Sequence, residues 1–317
     1  MDIILPPKKN IVMDATLFSS LQGCARYVDL RYNHNFLPLK GKSNSLECGS
    51  LVHKILEVFY GYKIQGMSRQ MAIGHAMTAG HLYITGCPHC SVPENLEPAC
   101  RHQPLEYPGM RNTPEENESN KRIGWKWVLA TMEQYFDFYK DDFWTPLFVE
   151  TVRGDILYED DEIRVIWKAK IDWCVDTNNG VFPIDHKTMK QRRDESNLNN
   201  QFIGQCLVMK TRSMIINRIG FQTTLEPKEK FTREMITYSA DRLLEWQSEI
   251  LPYYAYKYMQ YTESGYWPPD WTHCESKYGF CMFKDVCIKD RGMREEELKL
   301  NFFVGPPWDV LNMKEDE

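Results

Sequence analysis

Residues 170–187 read Lys170-Ile171-Asp172-Trp173-Cys174-Val175-Asp176-Thr177-Asn178-Asn179-Gly180-Val181-Phe182-Pro183-Ile184-Asp185-His186-Lys187. Asn-Gly between two alternating apolar runs is the strongest short-range hairpin signal a sequence carries. It predicts a strand over about Ile163–Val175 and a return strand over Val181–Thr188. Side chains alternate along a strand, so Asp185 and Lys187 share a face. With Asn179-Gly180 as a two-residue loop, Asp172 pairs with Lys187 and Asp185 is its diagonal neighbour. With Asn178-Asn179 as the loop, Asp172 pairs with Asp185 and all three stay on one face. A three-residue loop separates them. Two carboxylates and a lysine gathered on a sheet are costly unless a cation neutralises them. A solvated hairpin face carrying an ordinary ion pair is equally compatible with the spacing.

Outward from the hairpin, composition narrows the classes. With 317 residues, 43% of them hydrophobic, the chain can bury a substantial core. No apolar run reaches the ~18 residues of a membrane span. The start, MDIILPPKKN, lacks the basic and long apolar regions of a signal peptide, so the expectation is a cytoplasmic protein. A net charge of −6 offers no global attraction to nucleic acid, so any polyanion contact must be local. One local patch exists, Lys187, Lys190, Arg192 and Arg193, directly after the hairpin.

Apolar spacing predicts helices over about 14–32, 45–63, 67–83, 123–141, 196–213 and 239–262. Strands are expected over Pro146–Tyr158 and Ile215–Thr224 besides the hairpin, with 236–238 too short to assign alone. Helices mixed with a few strands in this order predict an α/β sheet core with helical flanks. Gly49, His53 and Glu57 are spaced four apart and line one helix face. Residues 1–290 read as a single domain. Within it, 85–122 is an irregular insertion, and 291–317 is a charged C-terminal tail.

Ten cysteines are many for a reducing compartment, where tight spacings favour metal ligation over disulfides. Cys274, Cys281 and Cys287 fall within fourteen residues. A fourth thiolate would complete a tetrahedral zinc or an iron–sulfur cluster, and Cys24 is the distant candidate. Cys87, Cys90, Cys100 and His102 have the hook spacing of a tetrahedral zinc site that would staple the irregular insertion, with His89 as a competing ligand. Cys48, Cys174 and Cys206 are isolated and read as small buried hydrophobes.

Four separated features together resemble the PD-(D/E)XK nuclease superfamily, in its RecB-like iron–sulfur branch, which includes CRISPR-associated and phage-encoded exonucleases. They are Gly49-x-x-x-His53, Lys170-Ile171-Asp172, Asp185-His186-Lys187, and Gln201 on the helix that follows. Cys24 before the first motif and Cys274, Cys281 and Cys287 near the end match the order of the branch's cluster ligands. The chain departs from the pattern at Gln205, where the family has tyrosine, and in the six-residue gap between Cys274 and Cys281.

The resemblance implies a restriction-endonuclease-like mixed sheet flanked by helices and clasped at its periphery by a [4Fe–4S] cluster. It implies a Mg²⁺- or Mn²⁺-dependent DNA exonuclease. His53, Asp172, Asp185 and the His186 carbonyl would ligate the metal, Glu150 would add a further carboxylate, and Glu57 and Asp155 compete for that role. Lys187 would orient water or stabilise the phosphate. Gln201 would contact DNA or brace the site, and the basic patch at Lys190, Arg192 and Arg193 would meet the backbone. Trp267 and Trp271 are candidates for base stacking. Two other readings stay open: a catalytically inactive DNA-binding scaffold of the same fold, and a zinc-containing regulator built on 87–102.

Overall fold

Two fifteen-residue strands, β3 (Thr145–Glu159) and β4 (Ile163–Thr177), form an antiparallel spine. They are β-rich runs of Val, Ile, Trp and Phe joined by a tight turn, in which Asp160 accepts the main-chain N–H groups of Glu162 and Ile163. The computed structural model describes residues 8–39, 44–85, 125–189, 199–222, 224–276 and 279–308. The zinc candidates Cys87, Cys90, Cys100 and His102, and the basic residues Lys190, Arg192 and Arg193, lie outside the described residues.

The other edge of β4 is shared. β1 (Lys9–Met13) runs parallel beside Ile163–Trp167, and β5 (Gly180–Met189) runs antiparallel beside Trp173–Thr177. Between them Lys168–Asp172 faces the fork where these two neighbours part. The sheet continues through β6 (Ser213–Gly220), parallel to β5, and β7 (Phe231–Thr237), antiparallel to β6. The result is a mixed six-stranded sheet. The hairpin loop is Asn178-Asn179, with Thr177 opposite Gly180. Gly180 takes φ +123°, a backbone region that glycine enters without strain.

Helices cover both faces, as the expected α/β architecture requires. On one side lie α1 (Ala15–Gly23) and α2 (Ala25–Val28). On the other, after the short strand β2 (Phe36–Pro38), come α3 (Asn44–Ile64), α4 (Arg69–Thr85) and α5 (Trp125–Phe138). α6 (Asn200–Val208), α8 (Ala240–Glu245) and α9 (Leu251–Ser264) return to the α1 side, and α7 (Pro227–Lys230) is a single turn. Phe18, Trp167, Phe202 and Trp246 centre the first core; Leu51, Ile55, Met132 and Trp173 centre the second. Cys48, Cys174 and Cys206 are buried among these apolar residues, as expected. Among the described residues no helix is long and apolar enough to cross a membrane.

Three expectations need correction. The helix expected over 14–32 breaks at Cys24, which is extended (φ −158°, ψ 118°) and separates α1 from α2. The helix expected over 196–213 is shorter, beginning where Asn199 accepts the N–H of Gln201 and ending at Val208. The boundary placed at 290 is not a structural one. α10 (Lys284–Ile288) and α11 (Arg294–Asn301) lead into β8 (Phe302–Val304), which pairs with β2. Phe302 stacks on Phe283, an apolar pairing that the surrounding charge concealed in the sequence. The short β1 was also missed, since five residues with mixed polarity carry no period of their own.

Gly204 marks the closest approach of a helix to the sheet. A β-carbon there would overlap the indole of the fully buried Trp167. Gly204→Ala is therefore expected to destabilise the fold by about 1–3 kcal/mol through overpacking. Chemical denaturation checks this: an unchanged midpoint would show that α6 can lift off the sheet freely.

Candidate metal centre

Asp172 sits at the fork, where β5 leaves β4. The regular ladder ends at Trp173 opposite Ile184, so the next pair would be Asp172 and Asp185. Instead of a main-chain acceptor, the N–H of His186 finds Asp172 Oδ2 at 2.8 Å. Side-chain alternation changes here too. Ile171 enters the first core, whereas Trp173 enters the second. Across β3, opposite Asp172, Glu150 adopts φ +47°. A left-handed glutamate inside a strand is strained by on the order of 1–3 kcal/mol, and such strain collects at functional sites.

His53 comes from α3. One turn earlier, a β-carbon at Gly49 would lie 3.3 Å from Thr188 Oγ1. Glycine thus lets the helix approach β5 closely enough for His53 to reach the strand ends. His53 Nε2 lies 3.1 Å from the His186 carbonyl oxygen. If Nε2 carries the proton it donates to that oxygen, leaving the Nδ1 lone pair facing Glu150 Oε1 and Asp172 Oδ2, each at 3.6 Å. Fixing one ring nitrogen on a carbonyl is how proteins orient a metal-binding imidazole. The His186 carbonyl, expected as a direct ligand, is here engaged by His53.

Among the described residues, His53, Glu150 and Asp172 are the trio whose ligand atoms all lie within 4.8 Å of one another. Asp185 belongs to a second cluster beside it. Its Oδ1 accepts from Gln201 Nε2 at 2.6 Å, and its Oδ2 lies 2.7 Å from Lys187 Nζ. Lys187 Nζ also donates to Gln201 Oε1 at 3.2 Å. The Asn199 cap positions Gln201 in the first turn of α6, where it bridges acid and base. The rival carboxylates have other partners: Glu57 pairs with Lys54 at 3.0 Å and Asp155 with Lys210 at 3.5 Å. Lys170, which sequence reading gave no role beyond its motif, pairs with Glu150 at 2.5 Å.

The centre suits a hard divalent cation. Glu150 Oε1 is buried without a hydrogen-bond partner, and Asp185 Oδ2 is buried against Lys187 Nζ. Carboxylates gathered in a buried place are costly unless cations offset their charge. Oxygen donors with one imidazole match Mg²⁺ or Mn²⁺ chemistry. Burial and the neighbouring Asp185 push the Asp172 carboxyl up to about 7. Burial depresses His53, but Glu150 and Asp172 outweigh it and raise it to about 9. Burial raises Glu150, while His53 and Lys170 pull it below its ordinary value.

A cleft of about 680 Å³ opens on the α1 side of β4, lined by Lys168, Lys170, Gln201, Gln205 and Ser19 among others. Gln205, where the resemblance leads one to expect tyrosine, is buried and donates to the Lys170 carbonyl at 3.2 Å. Of the two tryptophans considered for stacking, Trp267 is buried against Tyr258 and Tyr261, and Trp271 is exposed.

The fold brings the Cys24 junction against the segment that carries Cys274, but no three of Cys24, Cys274, Cys281 and Cys287 have ligand atoms all within 4.8 Å of one another. Arg26 N–H donates to the Pro268 carbonyl at 3.1 Å, and Asp270 N–H donates to Cys24 Sγ at 3.3 Å. Cys281 N–H donates to the Cys274 carbonyl at 2.9 Å. Burial raises the thiols of Cys274, Cys281 and Cys287, and each is raised further by Cys24 or by its fellow thiols.

The titrations give a signed prediction. Raised values for His53 and Asp172 mean that the folded state holds protons the unfolded chain has released. Without metal, the stability that these two groups contribute is therefore fully present in acid and is lost as pH rises from about 4 to about 9. Cation binding needs both groups deprotonated, so it strengthens across the upper part of that window. Melting curves in chelator and in Mn²⁺ should diverge as pH climbs from 6 to 9, and His53→Ala with Asp172→Asn should abolish the divergence. Parallel curves would contradict a cation site here.

No family model and no curated protein matches the chain. A solved structure described as the crystal structure of SSO0001 aligns with 55% of this chain and 76% of its own, at 11% identity and a TM-score of 0.30.

Proposed function

We propose that the protein is a divalent-metal-dependent DNA nuclease, acting as an exonuclease. The observation that carries this reading is the adjacency of two clusters: His53, Glu150 and Asp172 as a cation site, and Asp185, Lys187 and Gln201 directly beside it. Phosphodiester hydrolysis needs both an activated water and a group that meets developing negative charge. His53, Glu150 and Asp172 would hold Mg²⁺ or Mn²⁺, with Asp185 beside them holding Lys187. The cation supplies Lewis acidity at the scissile phosphate. Lys187 Nζ, held by Asp185 and Gln201, offers its protons to the attacking water or to the phosphate oxygen that gains charge. Lys168 and Lys170 along the cleft favour a polyanionic strand over a neutral ligand.

Cys24, Cys274, Cys281 and Cys287 would hold an iron–sulfur cluster. Four thiols drawn from chain ends some 250 residues apart in sequence, with Cys24 placed at the break between α1 and α2, are a donor set suited to it. Its role is to clasp the N-terminal helices to the C-terminal segment.

End-labelled DNA should be degraded in Mg²⁺ or Mn²⁺ and not in chelator. Lys187→Ala and Asp185→Ala should each lower the rate about 10²–10³-fold. Undiminished cleavage in both would refute the assignment, and DNA binding without cleavage under any divalent metal would favour the scaffold reading. Anaerobically purified protein should be brown, and Cys24→Ser should bleach it. A colourless preparation holding zinc alone would argue against the cluster.

A further inference from the structure

Two of the three cation ligands hang on the main chain of one residue. His186 N–H holds Asp172, and the His186 carbonyl meets His53. The His186 side chain turns into the second core, where it is 2% exposed, with its ring edge-on to that of His53 at 5.7 Å between centroids. It lies roughly parallel to Trp173, with ring centroids 6.0 Å apart, and to Tyr60 at 6.2 Å. Its Nδ1 lies 2.8 Å from Asn217 Nδ2 on β6, the residue paired with it in the parallel ladder. Asn217 is fully buried and donates also to Tyr135 Oη at 3.0 Å.

The chain of contacts does not stop there. Tyr135 Oη lies 3.2 Å from Tyr60 Oη, and Arg233 Nη2 donates to both hydroxyls. Arg233 Nη1 closes the series on Asp142 at 2.7 Å. The guanidinium carbon sits 3.8 Å from the Tyr139 ring centroid and 4.3 Å from that of Trp144. Elements α3, α5, β6 and β7 thus converge on the back of one histidine. These bonds tie the four elements together, and they leave His186 Nε2, Asn217 Oδ1 and Arg233 Nε buried without a hydrogen-bond partner. Apolar packing alone would have filled the same space without anchoring an imidazole, so their location behind the site requires a reason.

We propose that Asn217, supported by Tyr135 and the Arg233–Asp142 pair, is a positioning residue for the cation site. It fixes the imidazole of His186 and thereby the main chain from which Asp172 and His53 take their orientation. This rests on the metal-site reading above, but it assigns a role to residues that touch neither cation nor substrate. Loss of outer partners that orient metal ligands lowers affinity about 10- to 100-fold.

The test is Mn²⁺ titration of the purified full chain, followed by calorimetry and by the Mn²⁺ spin-resonance signal. The variants are Asn217→Leu, which keeps the branched shape without the amide, and Tyr135→Phe, which removes one hydroxyl and keeps the packed ring. Asn217→Leu should weaken Mn²⁺ binding about 10- to 100-fold, and Tyr135→Phe should shift it less in the same direction. On DNA, kcat should fall while KM holds, because the strand's own contacts are untouched. A merely structural network would lower the melting temperature and leave Mn²⁺ affinity of the folded protein alone. Variants that stay folded and bind Mn²⁺ as tightly as the wild type would overturn this inference and leave the metal site standing. A wild-type chain that binds no Mn²⁺ would overturn both.

Discussion

The hydrogen bond from the His186 N–H to Asp172 Oδ2 marks the place where a sheet becomes a site. Beside Thr177–Trp173 the two strands satisfy each other's main chain. One step further β5 diverges to run parallel with β6, and its N–H must find another acceptor. A carboxylate supplies it. Once Asp172 is committed there, Asp185 and Glu150 lie close enough to be felt as repulsion, and the fork concentrates negative charge in a partly dry space. Everything around it answers that charge. His53 arrives on a helix admitted by Gly49, Lys170 pairs with Glu150, and Lys187 pairs with Asp185.

The fold is arranged to make that fork rigid. β3 and β4 supply a long spine, and β1 and β5 hold one edge of β4 at its two halves. Helices clamp both faces with separate cores, so β4 cannot tilt without unpacking Trp167 on one side or Trp173 on the other. The left-handed backbone of Glu150 persists because this packing over-determines it. Negative charge is thereby concentrated at a fixed place, with Glu150 Oε1 buried and without a hydrogen-bond partner.

Much of this was legible in the chain. The Asn178-Asn179-Gly180 turn announced the hairpin, and strand alternation kept Asp172, Asp185 and Lys187 within reach of one another in either two-residue register. The helix spacing of Gly49 and His53 is a local signal as well, whereas the helix carrying Gln201 was placed from 196 and its cap at Asn199 emerged only from the structure. Glu150 was harder. Nothing in its neighbourhood separates it from Glu57 or Asp155, and only the pairing of β3 against β4 sets it opposite Asp172. Cys24 was read inside a helix, because its flanking residues are helix formers. Its extended backbone goes with contacts to a segment some 250 residues away.

Local patterns in the sequence therefore determined most of the elements, the hairpin and the elements on which most candidate site residues stand, because turns and periodicity depend on neighbours a few positions apart. Tertiary structure decided the rest. It chose Asn178-Asn179 as the loop, so that Asp172 stands opposite Asp185. It selected Glu150 among three carboxylates and turned the His186 carbonyl toward His53. It also built the Asn217–Tyr135–Arg233 support behind them. Those choices depend on which distant strands share an edge and which side chains meet in the dry interior, and no short stretch of chain contains that information.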